Sequence, residues 1–230
     1  MSIFKNGKTI ENNRFVAIIS GESGTGKTSQ CRFLNPDETV ILSGEEGLLC
    51  FKKYGYMPKL VASVKTVEDL EQAYDELSEG IDGIKNIFID SLTEVAEVVL
   101  TSLKSDPKYA DPKMALKMWG TYNDTMTKII KSYRDLSQYN VIFTCLTEKA
   151  KDGLDTYDEF NLPGSALKSD LMSWFDICLH MVAYKDEDGS DQRVFLTSKS
   201  DTRLGKDRSG LLENTEPADL SAIINKIIKE

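Results

Sequence analysis

The segment Gly21-Glu22-Ser23-Gly24-Thr25-Gly26-Lys27-Thr28 satisfies G-x-x-x-x-G-K-[ST] at every fixed position, the pattern of a phosphate-binding loop. Glycines at these places let backbone N–H groups turn inward around phosphate oxygens, and a helix opening near Gly26 adds its positive dipole end. Lys27 is then placed to reach the β- and γ-phosphates of ATP and Thr28 to hold Mg²⁺. Gly21, Glu22, Ser23, Gly24, Thr25, Gly26 and Ser29 make up the rest of the expected nucleotide contacts. The flanks agree with this reading. Phe15 to Ile19 is an unbroken apolar, β-rich run, and Ser29 to Leu34 can continue as a helix, the strand-loop-helix context the motif requires.

Downstream, Thr39 to Leu42 reads as a second strand, ending in Ser43-Gly44-Glu45-Glu46-Gly47. Thr66 with Asp69 resembles a capping box; Val67, Leu70, Ala73, Tyr74 and Leu77 follow at helical spacing, and Gly80 is a stop signal. Asn86 to Asp90 is a buried strand ending in an acid, with a helix after it through Leu103. That is the form of the second motif of nucleotide sites, with Asp90 facing Mg²⁺ directly or through water. Residues 104–113 read as a loop, and 114–137 as a long helix covering the sheet, with Met118, Trp119, Tyr122, Met126, Ile129, Ile130, Tyr133 and Leu136 at helical intervals.

Val141 to Leu146 is a fourth strand. It ends in Thr147 and Glu148, polar groups at the edge where open α/β sheets place ligands and the expected sensor of the nucleotide. Residues 149–169 are polar, contain Gly153, Pro163 and Gly164, and form the longest plausible active loop. Phe175 to Tyr184 and Gln192 to Ser198 bracket an Asp-Gly turn, which predicts an antiparallel hairpin. A charged segment, 201–210, leads to a last helix after Pro217. Strands alternating with helices after a phosphate loop give an α/β fold, a mainly parallel sheet flanked by helices and extended by a C-terminal antiparallel hairpin.

Composition narrows the classes. The 230 residues, 40% hydrophobic, suit a single domain. No apolar run approaches the ~20 residues of a membrane span and no signal peptide is evident, so a cytoplasmic protein with no membrane partner is expected. Cys31, Cys50, Cys145 and Cys178 are scattered and read as buried reduced thiols. His180, the one histidine, reads as a satisfied sheet residue. A net charge of −9 removes bulk attraction to nucleic acid, so any such binding needs a local basic surface or assembly of several subunits.

Asp90 is followed by Ser91, so a water-activating carboxylate has to come from elsewhere, and Glu45 or Glu46 is the available candidate. The alternative is that both glutamates cap the next helix. Together, Gly21 to Thr28, Glu45-Glu46-Gly47-Leu48, Ile87-Phe88-Ile89-Asp90-Ser91, Trp119-Gly120-Thr121-Tyr122-Asn123, Leu162-Pro163-Gly164 and Lys206-Asp207-Arg208-Ser209-Gly210 resemble the phage AAA-type nucleotide-binding proteins. Among these are the Sak-type single-strand annealing proteins with a RecA-like core. The resemblance covers about residues 12 to 228. It implies a RecA-like P-loop ATPase, slow hydrolysis, single-stranded DNA binding in a homo-oligomer, and a role in phage recombination or replication, with a single-strand-binding protein as a possible partner.

Within that resemblance the 149–169 loop offers Lys149, Lys151, Tyr157, Phe160 and Lys168 as a DNA track of cations and aromatic platforms, interrupted by four acids. A solvated lid over the nucleotide is the competing reading. Lys206 and Arg208 are expected to present cations to a neighbour's γ-phosphate, against a plain solvated loop. Two other functions share the phosphate loop: an ATP-dependent switch module without DNA activity, and a small-molecule phosphotransferase, whose arginine-rich lid has no counterpart here because 149–169 contains no arginine.

Overall fold

The computed structural model describes residues 14–44, 48–200 and 202–228. In chain order β1 (Val16–Gly21), a short 3-10 helix (Thr28–Phe33), β2 (Thr39–Ser43) and β3 (Leu60–Ser63) precede α1 (Val67–Glu79). Then come β4 (Asn86–Asp90), α2 (Leu92–Ser105), α3 (Ala115–Arg134), β5 (Asn140–Asp152), β6 (Asp155–Phe160) and α4 (Ser165–Leu171). The chain closes with β7 (Ile177–Lys185), β8 (Asp191–Leu196), β9 (Lys206–Asp207), β10 (Thr215–Pro217) and α5 (Leu220–Ile227).

Strands with no polar face have to be covered on both sides, and β1, β2 and β4 are buried at nearly every position. They take central places in one sheet of order β10-β8-β7-β1-β5-β4-β2-β3, with β6 on β5 and β9 on β7. Pairing is parallel from β7 through β1, β5, β4 and β2 to β3, and antiparallel for β7–β8, β8–β10 and β5–β6. Alternate side chains feed two cores. Ile18, Ile87, Ile89 and Phe143 pack with Leu70 of α1, Val95 of α2, Tyr122 and Ile130 of α3 and Leu167 of α4. Ala17, Ile19, Phe88 and Ile142 pack with Cys31, Phe51, Leu220 and Ile223 on the opposite face. The α/β class, the mainly parallel sheet and the antiparallel hairpin near the C-terminus are therefore as expected.

Local chemistry explains the element ends. Both halves of the Thr66–Asp69 capping box form at α1, and Gly80 (φ +93°) stops it. The turn between β7 and β8 is closed by Asp186 N–H donating to the Ser190 carbonyl at 3.0 Å. Burial pushes the Cys31, Cys145 and Cys178 thiols up to about 12, while Cys50 is only part-buried.

Three expectations are corrected. The helix after the phosphate loop is a six-residue 3-10 turn, because Leu34 turns extended and Asn35 is held extended by the following Pro36. Leu60–Ser63 is an additional edge strand, an apolar run too short to be distinctive in the sequence, and at the sheet edge Leu60 and Val61 stay exposed. Residues 149–160 are not a loop: β5 runs on to Asp152 and pairs with β6 around a turn at Gly153 (φ +61°). Cross-strand pairing stabilises this polar ribbon, with Lys149 opposite Asp158 at 2.6 Å.

Candidate nucleotide site

The phosphate loop leaves the carboxyl end of β1, between β5 and β7. Two glycines are sterically required. A Cβ on Gly21 would lie 2.6 Å from the Met181 carbonyl oxygen of β7, and Gly26 has φ +102° with Met181 Cε 3.4 Å from where its Cβ would be. The loop is tightened by Thr25 Oγ1 donating to the Glu22 carbonyl at 2.9 Å. The Lys27 ammonium is buried in its lap, donating to the carbonyls of Gly21 and Glu22, both at 2.8 Å. Thr28 and Ser29 open the 3-10 turn, half-buried, and Ser23 and Gly24 are exposed.

Asp90 sits one strand beyond β5. It is 8% exposed, and its Oδ1 accepts from Thr144 Oγ1 of β5 at 2.5 Å. Two residues beyond Phe88 on β4, it lies on the sheet face whose core includes Cys31 of the turn beginning at Thr28. A buried cation inside a glycine loop and a buried carboxylate two strands away are a donor set that fits a nucleoside triphosphate with Mg²⁺.

Glu45 and Glu46 lie outside the described residues. Their point of departure is well defined: Gly44 N–H donates to the Asp90 carbonyl at 3.0 Å, and a Cβ on Gly44 would meet Glu94 Cβ at 2.5 Å. At the end of the parallel part of β5, the buried Thr147 Oγ1 has no hydrogen-bond partner among the described residues. Glu148 instead accepts from Lys168 at 2.7 Å.

The five candidate DNA contacts separate. Phe160 is 2% exposed and packs in the core, so it offers no stacking face. Lys149 is paired with Asp158 and lies 3.5 Å from Glu22, while Lys168 bridges Glu148 and Glu159. Lys151 is exposed, and half-buried Tyr157 lines a groove of about 730 Å³ with Lys168, Lys199 and Arg203.

Lys206 and Arg208 do not approach the chain's own phosphate loop. Lys206 Nζ donates to the Met172 and Phe175 carbonyls at 2.9 and 2.6 Å, and Arg208 pairs with Asp176 at 2.7 Å. Arg208 lines a cleft with Arg14 and Arg134, near the amino end of β1 and so at the opposite end of the sheet.

Two features have no signal in the sequence. Arg193 of β8 donates its Nε–H to the Thr25 carbonyl at 2.9 Å, fastening the loop from a strand 168 residues later. His180 is a satisfied sheet histidine, as expected, but its partners are functional neighbours: Ser20 at 3.1 Å, just before the loop, and Asp158 at 3.3 Å, in the hairpin. Neither contact is visible before the strand order and register are known.

A family model described as an AAA domain matches residues 13–209. No curated protein matches the chain. Solved structures that resemble it include the RadB recombinase, with a TM-score of 0.46, 11% identity and 79% of each chain covered.

Proposed function

We propose that this chain, which belongs to the AAA domain family, is a cytoplasmic RecA-like ATPase that binds and slowly hydrolyses ATP and, as a homo-oligomer, anneals single-stranded DNA in phage recombination or replication. The observation that carries the nucleotide part is the Lys27 ammonium buried within the loop carbonyls at the end of the central strand. An ammonium held by neutral carbonyls keeps its charge to offer to phosphate oxygens, which can replace those carbonyls as its acceptors. Thr28 and Asp90 would hold Mg²⁺, which when bound would offset negative charge on the phosphate groups. Glu45 or Glu46 orients the attacking water, Thr147 offers a hydroxyl at the sheet edge, and Arg193 keeps the loop seated.

Asp90→Asn preserves the Thr144 contact but removes the negative charge, so Mg²⁺-dependent nucleotide binding is expected to weaken about tenfold or more. Nucleotide titrations with and without Mg²⁺ check this; an unchanged metal requirement would remove Asp90 from the metal side.

DNA contact is assigned to Lys151, Tyr157, Lys199 and Arg203, with neighbouring subunits extending the track. Binding is expected to favour single strands, to be stronger with ATP, and to fall about twentyfold between roughly 50 and 200 mM salt if about three phosphates are contacted. The pairing of Lys149 and Lys168 with acids favours a second reading, an ATP-dependent partner module without DNA activity. ATPase and filter-binding assays with and without single-stranded DNA separate the two: no binding at low salt with an ATP analogue selects the partner module.

A further inference from the structure

Ser20 of β1, His180 of β7 and Asp158 of β6 are 1, 3 and 5% exposed and form a continuous buried chain that phosphate chemistry does not use. Its directions follow from the chemistry of the groups. An ionised carboxylate only accepts, so His180 Nε2 carries the hydrogen toward Asp158. Burial lowers the His180 pKa, outweighing the opposite pull of Asp158, so the ring is neutral and Nδ1 accepts from the Ser20 hydroxyl. Asp158 Oδ1 accepts from Lys149 Nζ at 2.6 Å, and Asp158 N–H donates to the Thr202 carbonyl at 2.8 Å. The groups whose charges act on His180 are Asp158, Lys149, Glu22 and Arg203.

The order Ser-His-Asp is that of a hydrolytic triad, but a hydroxyl 1% exposed between paired strands has no space for a substrate carbonyl. The ends of the chain point to another use. Ser20 immediately precedes Gly21 of the phosphate loop, and Asp158 stands opposite Lys149 in the β5–β6 hairpin. A cleft of about 350 Å³ otherwise separates loop residues 22–25 from Lys149, Asp158 and Arg203. The parallel surface link, Lys149 to Glu22 at 3.5 Å, joins side chains 52 and 61% exposed and is worth little in water. The buried link is the stronger one, because breaking it at His180 leaves the buried Ser20 hydroxyl and one oxygen of the buried Asp158 carboxylate without their ring partner.

We propose that His180 is a positioning residue that couples occupancy of the phosphate loop to the placement of the β5–β6 hairpin. The inference rests on the loop binding nucleotide. A bound phosphate holds the loop and Ser20 in place and the relay stays made; when the loop moves, a displacement of about half an ångström takes the 3.1 Å contact beyond hydrogen-bond range. The imidazole is then no longer held from the loop side, and its hold on Asp158 of the hairpin is weakened.

Amide hydrogen exchange of residues 147–160, with and without a non-hydrolysable ATP analogue and Mg²⁺, tests this, with analogue affinity measured by calorimetry on the same samples. In the wild type the analogue is expected to slow hairpin exchange about fivefold, the lower end of typical couplings. His180→Gln keeps a donor for Asp158 but not the Ser20 contact, and Ser20→Ala removes only a hydroxyl, so it retains the fold. Both are expected to abolish the slowing, the double variant to add nothing further, and analogue affinity to fall by no more than about the same fivefold, as reciprocity requires. A purely structural role would instead raise exchange equally with and without the analogue and leave the ratio intact. That result, or wild-type binding without slowing, overturns the coupling; absence of calorimetric binding by the wild type removes the nucleotide reading itself, and the coupling with it.

Discussion

Lys27→Ala is expected to abolish productive ATP binding and turnover while leaving the fold in place. In the native loop the ammonium donates two 2.8 Å bonds to Gly21 and Glu22 carbonyls, and hydrogen bonds to a charged group are worth about 1.5–3 kcal/mol each. Transferring even one such bond to phosphate makes the lysine responsible for roughly a 10- to 100-fold share of affinity. The loss in turnover is larger, because charge on the transferring phosphate grows toward the transition state and Lys27 is placed to meet it. The loop itself remains tied by the Thr25–Glu22 and Arg193–Thr25 contacts, so the melting temperature is expected to move by only a few degrees. Calorimetric titration of ATP and a phosphate-release assay on the folded variant check the result. Wild-type affinity and turnover in Lys27→Ala would show that the nucleotide does not bind there.

The second large effect belongs to the acids after β2. Glu45→Gln is expected to retain ATP binding and lose about 10²–10⁴-fold in turnover, since an amide can still hydrogen-bond the water but cannot accept its proton. The expectation has a structural basis: β2 lies beside β4, Ser43 is in register with Asp90, and Gly44 N–H donates to the Asp90 carbonyl, so the described chain stops beside Asp90. Glu46→Gln is the internal comparison, and whichever variant shows the loss identifies the base. Normal hydrolysis by both would send the search to another element and take away the main mechanistic support for a RecA-type enzyme.

Sequence by itself determined the features written in short range. The phosphate loop, the apolar runs of β1, β2 and β4, the Thr66–Asp69 cap and the Asp-Gly hairpin are each specified within about ten residues, where backbone sterics, capping and periodicity act directly. Tertiary structure decided everything that depends on strand order and register. The polar ribbon 149–160 looks like a loop in one dimension because its stabilising partners lie across the strand pair, and the same register turns Phe160 from a surface platform into core. Lys206 and Arg208 are expected from the resemblance to face a neighbouring subunit's phosphate, and within the chain the antiparallel pairing of β9 with the start of β7 sets them at the end of the sheet opposite its own phosphate loop. Arg193 meets Thr25, and His180 joins Ser20 to Asp158, because β7 pairs with β1 on one side and β8 on the other. Contacts between residues 160 or more positions apart leave no local pattern, since what selects them is burial over the whole sheet and not the preference of any one segment.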